Sequence, residues 1–221
     1  MTTLPLASVY THALQGHPCT VWEGDLAPQR LPTHAWLARA GAADLALLAH
    51  CQGPTIDIGC GPGRMSEALA EAGHAVLGID VVPEAVRQTR TRGVAALRRS
   101  VFDRVPGEGR WETALLADGN IGIGGEPRRL LRRIRDLLGP AGTLLAEVSP
   151  LDVDRRGRAR ILAAGGAMSS PFGWADLGAP ALTRLAASGG WAVLEDWDDE
   201  GRRFLALATP RDHARRRVPC L

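Results

Sequence analysis

Hydrophobic positions along the chain fall into short runs divided by turn formers, and their period switches between that of strands and that of helices. Thr55, Ile56 and Ile58 make a brief, β-branched run closed by glycines, which predicts a buried strand. Gly59, Gly61 and Gly63 follow at alternate positions. Met65, Ala68, Leu69 and Ala72 then recur three or four apart, predicting a helix that stops at Gly73. Ala75, Val76, Leu77 and Ile79 form a second apolar strand with Asp80 at its tip. Pro83 and Glu84 open another helix, Gly93 ends it, and further strands are predicted over 94–97 and 111–117. The helix predicted over 126–138 is amphipathic: Leu130, Leu131, Ile134, Leu137 and Leu138 share one stripe, and Arg128, Arg129, Arg132, Arg133 and Arg135 the other. A Gly-Pro-Ala-Gly turn leads into a strand over 143–148.

Outside this regular part the pattern is weaker. Residues 1–32 read as an irregular segment rich in Pro, Thr and His, able to fold over a site as a lid. Residues 33–50 read as one helix started by Pro32 and Thr33, with Trp36 assigned to the core. The pattern loosens over 149–175, and a helix over 175–188 is followed by strands over 191–197 and 203–208 around an acidic turn. The order is a helix, then β-α alternation for five strands, then α-β-β. It implies an α/β fold: a doubly wound, mostly parallel seven-stranded sheet with helices on both faces. The expected divisions are a lid at 1–32, the main domain at 33–209 and a basic, disordered tail at 210–221.

Composition changes this picture little. At 221 residues the chain suits one domain, and 45% apolar with 23% charged residues is ordinary for a soluble globular protein. The net charge of +2 is too balanced to predict a nucleic-acid partner, and the arginine face of 126–138 reads first as a solvated helix side. No run approaches a membrane span and the N-terminus lacks a signal-peptide pattern, so the cytoplasm is the expected location. Cys19, Cys51, Cys60 and Cys220 are scattered, with no metal-binding or disulfide template.

The chemistry concentrates at 54–80. Glycines admit unusual backbone angles and close approach of a ligand, the following helix offers free N–H groups, and an acid at the second strand's tip can accept hydrogen bonds from ribose hydroxyls. The G-x-G-x-x-G fingerprint fails, because Arg64 stands where the third glycine is needed, and a chain without lysine cannot form a Walker loop. What remains, Asp57-x-Gly59-x-Gly61-x-Gly63 with Asp80, resembles the first motifs of class I S-adenosylmethionine-dependent methyltransferases. The competing reading is a Rossmann-like domain whose glycine turn is only structural.

The resemblance implies S-adenosylmethionine as cofactor and a Rossmann-like methyltransferase fold. It places Asp57 near the amino and carboxylate end of the cofactor, Asp80 on the ribose with Val81 beside it, and Cys60 inside the turn as a small residue. It places Phe102 on the adenine ring and Asp103 on the adenine amino group; for Asp103 a plain turn residue is the alternative. Asp118 and Asn120 fall at the methyl-transfer point or in a flexible link, and Met168, Phe172 and Trp174 form either a substrate wall or a satellite cluster. Tyr10-Thr11-His12-Ala13 is similar to the Tyr-Asp-x-x-Ala opening of many small-molecule methyltransferases, with Thr11 in place of the acid; the alternative is a frayed terminus. Candidate catalytic groups are Tyr10, His12 and Asp118, with His17 as a further base. The implied activity is methyl transfer to an O, N or C atom of a small, aromatic or specialised metabolite. RNA or protein methylation and non-catalytic cofactor binding are the alternatives.

Overall fold

The computed structural model describes residues 2–24 and 26–209. The N-terminal part holds β1 (Thr3–Leu4), α1 (Leu6–Leu14), β2 (Cys19–Glu23) and β3 (Gln29–Arg30), then α2 (Thr33–Leu37) and α3 (Ala42–Leu48). The alternating part runs β4 (Thr55–Ile58), α4 (Arg64–Glu71), β5 (Val76–Asp80), α5 (Pro83–Thr91), β6 (Ala96–Arg98) and β7 (Trp111–Leu116). A 3₁₀ segment, Asn120–Gly125, precedes α6 (Pro127–Leu137) and β8 (Leu138–Val148). The chain then forms β9 (Asp154–Ala163), β10 (Met168–Ser169), β11 (Phe172–Leu177), α7 (Ala179–Ser188), β12 (Ala192–Asp199) and β13 (Arg202–Ala208).

The main sheet has seven strands in the order β12-β13-β8-β7-β4-β5-β6. Strands β4 to β8 pair in parallel, and the terminal hairpin is antiparallel to itself and to β8. All of β4 is buried, as expected of a central parallel strand covered on both faces. Strand order reverses between β4 and β7, so the crevice beyond their carboxyl ends is the natural ligand position. The leucine stripe of α6 fills the core on one face: Leu130, Ile134 and Leu137 are fully buried, each contributing about 1.5–3 kcal/mol over exposure. On the other face Met65 and Leu69 of α4 and Leu47 of α3 meet Leu115, Leu145 and Phe204.

Three expectations are corrected. The described residues of 1–32 are not irregular, and 149–175 is not loose: together they build a second sheet, β1-β10-β9-β2-β3 with β11 also on β9. Neither stretch could be recognised alone, since β2 (19–23) and β9 (154–163) pair across a wide sequence separation. Second, the helix at 33–50 is two helices. Gly41 is extended (φ −86°, ψ −175°), and Asp44 in the first turn of α3 accepts its N–H at 3.1 Å, which restarts the helix there. Third, 172–177 is a strand, and α7 begins only at Ala179 after the extended Gly178. The basic tail expected at 210–221 lies outside the described residues.

Candidate functional site

A cavity of about 640 Å³ opens at the strand-order reversal. Its floor is the turn after β4. Gly59, Gly61 and Gly63 all have positive φ (73°, 53° and 91°), which L side chains adopt only under strain. A Cβ on Gly63 would lie 2.7 Å from Thr89 Oγ1, so this glycine permits packing against α5. A Cβ on Gly61 would meet no protein atom within 4 Å, so its missing side chain leaves open space over the turn. Cys60 is small for a local reason, since its Sγ sits where Gly78 leaves room for it.

Asp80 ties this floor together. Its Oδ1 accepts the Val82 N–H at 2.8 Å and its Oδ2 the Gly61 N–H at 3.0 Å, linking the tip of β5 to the glycine turn. Burial pushes the Asp80 carboxyl up from its ordinary value, opposed by these N–H donors. Each oxygen keeps a lone pair for a further donor. Val81 and Phe102 line the same cavity, and Phe102 lies under the Arg129 guanidinium, 4.3 Å from ring centroid to carbon.

The sequence-predicted residues divide. Gly59, Cys60, Gly61, Asp80, Val81, Phe102, Asp118, Asn120, Tyr10, Phe172 and Trp174 line the cavity. Asp57 does not: it is buried behind the turn, where its carboxylate accepts the Ser66 hydroxyl at 2.6 Å and burial pushes it up to about 6. Asp103 is exposed on a turn closed by its N–H to the Ser100 carbonyl, so the wall there comes from Ser100, Val101 and Phe102 instead. Met168 is also outside, paired in β10 with Leu162, its sulfur facing Arg160 at 3.5 Å. His12 follows Tyr10 by two residues, about 200° around α1, and stacks on His17 at 3.9 Å. Both histidines lie off the cavity wall. Trp36, expected in the core, stacks on Tyr10 at 5.9 Å and lines the cavity.

Sequence reasoning missed the charged ring beside the floor. Arg64 opens α4 and reaches Asp44 with Nε at 2.9 Å and Nη2 at 3.0 Å, and Asp118 with Nη1 at 2.7 Å and Nη2 at 2.8 Å. Arg202 donates to Asp44 at 2.6 Å and to both Glu147 oxygens at 2.9 and 2.8 Å. Glu147 in turn accepts the Asp118 N–H at 2.6 Å, closing the ring. Burial would raise the Asp44 carboxyl, but the two arginines and the Gly41 N–H outweigh it and hold the group at about 2. Asp118 has φ 53°, a left-handed conformation rare outside glycine, and is clamped at both N–H and carboxylate. One signal did exist: an arginine at the positive end of a helix dipole is unfavourable unless acids surround it. Asn120 is likewise structural in part, donating to the carbonyls of Ile58 and Gly59 at 3.0 Å each.

The second sheet and α1 roof the cavity. Leu6 and Tyr10, one turn apart on α1, face it together with Val21, Ile161, Phe172 and Trp174. The Phe172 and Trp174 rings meet edge-on, with centroids 6.2 Å apart. Burial, then Asp80 and Asp118, push the Tyr10 phenol well above its usual range. No helix of the described residues is long and apolar enough to cross a membrane.

A family model described as a methyltransferase domain matches residues 56–142. Among solved structures, a SAM-dependent methyltransferase from Bacteroides fragilis in complex with S-adenosyl-L-homocysteine superposes with a TM-score of 0.78, at 22% identity over 93% of this chain and 94% of that one. The Burkholderia thailandensis 1,6-didemethyltoxoflavin-N1-methyltransferase superposes with a TM-score of 0.56, at 20% identity over 76% of each chain. At these identities the likeness concerns the fold. Ubiquinone biosynthesis O-methyltransferases of two Xylella fastidiosa strains are 49% identical over 39 residues, which is 18% of this chain and spans only 16% of theirs. With its glycine turn, the acid at the tip of β5 and this sheet order, the chain shares the fold of these S-adenosylmethionine-dependent methyltransferases, and residues 56–142 match the methyltransferase-domain model.

Proposed function

We propose that this chain transfers a methyl group from S-adenosylmethionine to an atom of a small, flat acceptor. One observation carries the reading: a single cavity of about 640 Å³ runs from Asp80 and the glycine turn to the aromatic pair Phe172 and Trp174. That volume lies within the range of small-molecule sites, roughly 300–1,000 Å³. A roof built by α1 and the second sheet suits a metabolite better than a polymer. On this reading α1 and β2, which belong to the stretch expected as a lid, form part of the cover.

The turn fits the cofactor, because Gly61 leaves the needed space and Asp80 offers lone pairs to two ribose hydroxyls. When bound, the cofactor supplies a methyl already activated by its sulfonium. The chain's own task is then placement and exclusion of water. Asp118 is committed to Arg64 and therefore shapes the floor instead of accepting a proton. Tyr10, which lines the cavity, stays a neutral phenol able to donate a hydrogen bond to what is bound there. Methyl transfer thus proceeds by positioning a nucleophile that needs little help from a base.

Calorimetric titration with S-adenosylmethionine, S-adenosylhomocysteine and NAD tests this. The first two are expected to bind the wild type, and Asp80→Ala is expected to weaken them about 10- to 100-fold, the loss of charge-assisted hydrogen bonds. Binding of NAD instead, or of none of the three, refutes the reading.

A further inference from the structure

The roof contains one acid that the ring and the cofactor floor do not use. Strand alternation puts Cys19, Val21 and Glu23 of β2 on one face and the 42% exposed Trp22 on the other. Glu23 and Val21 both line the cavity that the glycine turn also lines. The other acids of the wall are engaged: Asp80 by backbone N–H groups, Asp118 by Arg64, and Glu147 by Arg202. Among the described residues, no donor or cation holds the Glu23 carboxylate. Its charged neighbours are Asp176 and Arg155, which pair with each other across β11 and β9, and the repulsion from Asp176 outweighs the attraction of Arg155.

Position separates Glu23 from the chemistry. Glu23 stands on β2 of the second sheet, whereas Asp80 ends β5 and Asp118 follows β7 of the main sheet. A half-buried, uncompensated carboxylate in an otherwise apolar wall is costly unless a ligand supplies the missing charge. We propose that Glu23 anchors the acceptor substrate, and that this substrate is a flat apolar molecule bearing a protonated nitrogen at the end remote from the methylated atom. The ring lies against Phe172 and Trp174, and the ammonium donates to Glu23. A cation serves better than a hydroxyl, since a charge-assisted hydrogen bond is about twice as strong as a neutral one. This assignment rests on the methyl-transfer reading above, for it takes the floor as the cofactor's half of the cavity.

The probes are 1-naphthylmethylamine, 1-naphthalenemethanol and 1-naphthoate, which share a flat ring and differ in the charge of one substituent. Each is titrated into wild type and Glu23→Gln, with and without S-adenosylhomocysteine. The amine is expected to bind wild type about tenfold or more tighter than the alcohol, with the carboxylate weakest, and the isosteric E23Q is expected to bring the amine-to-alcohol ratio near one. An amine preference absent from the wild type, or unchanged in E23Q, overturns the assignment, and the wild-type ratio needs no variant to fold. S-adenosylhomocysteine binding with no amine preference refutes Glu23 alone. An amine preference without S-adenosylhomocysteine binding refutes the methyl-transfer reading and leaves Glu23 as a cation site.

Discussion

Arg64 offers the sharpest test of the charged ring. Arg64→Met keeps the length of the side chain and removes its charge, along with two hydrogen bonds to Asp44 and two to Asp118. The carboxylates left behind differ. The Asp118 side chain is 28% exposed and can be rehydrated, while that of Asp44 is 7% exposed. Asp44 keeps Arg202 at 2.6 Å and the Gly41 N–H at 3.1 Å. Breaking a buried pair by removing one partner costs about 3–5 kcal/mol, and these remaining partners place the loss near the lower end, about 3 kcal/mol. With a urea m-value of about 2 kcal/mol/M, the unfolding midpoint falls by about 1.5 M. The pH dependence carries a second signature. The Asp44 carboxyl, held at about 2 against an ordinary 3.8, contributes about 2 kcal/mol of stability by linkage. A depressed carboxyl pKa stabilises above the unfolded value, so this contribution is present above pH 4 and lost as the pH falls through 2. Without Arg64 the acid limb becomes shallower. Urea titrations of both proteins across the acid range read both effects. A loss under about 1 kcal/mol, or an unchanged acid limb, would mean the ring is a solvated surface network worth little.

Asp57 is expected to behave with the opposite sign. Its carboxyl is pushed up to about 6, so the favourable state is fully present below pH 4 and stability is lost as the pH rises through 6. Asp57→Asn still accepts the Ser66 hydroxyl and should gain on wild type by about 2–3 kcal/mol between pH 4 and pH 7.5; a constant difference across that window would show the burial effect to be absent. The two turn glycines should separate cleanly by assay. Gly61→Ala meets no protein atom and carries only the left-handed strain of about 1–2 kcal/mol, but it should weaken S-adenosylhomocysteine more than tenfold in calorimetry. Gly63→Ala drives its Cβ to 2.9 Å from the Thr89 Cα and should instead lower the thermal midpoint markedly. Equal effects of both variants on binding and on stability would contradict the division between open cradle and packing contact.

The seven-stranded sheet, the glycine turn and Asp80 were legible in the sequence because each depends on neighbours within a few residues. A buried parallel strand declares itself by a β-branched run, a strained turn by its glycines, and α6 by a stripe of leucines opposite arginines. Local signals also located Phe172 and Trp174, though not their edge-on contact. The remaining features depend on partners far apart in the chain. Arg64 joins Asp44, Asp118 and, through Asp44, Arg202, and no periodicity connects those positions. Strand β2 has no sheet until β9 arrives beside it, so residues 1–32 look irregular alone, although α1 and β2 line part of the cavity in the folded chain. Asp103 and Met168 failed for a related reason: position along the chain does not say which way a side chain points, and the turn at Ser100 and the pairing of β10 turn both away from the cavity. The sequence by itself determined the sheet and the floor of the site through local backbone geometry. Tertiary structure alone decided the roof, the charged ring and the free acid at Glu23, because burial and charge compensation are set by what the whole chain brings together.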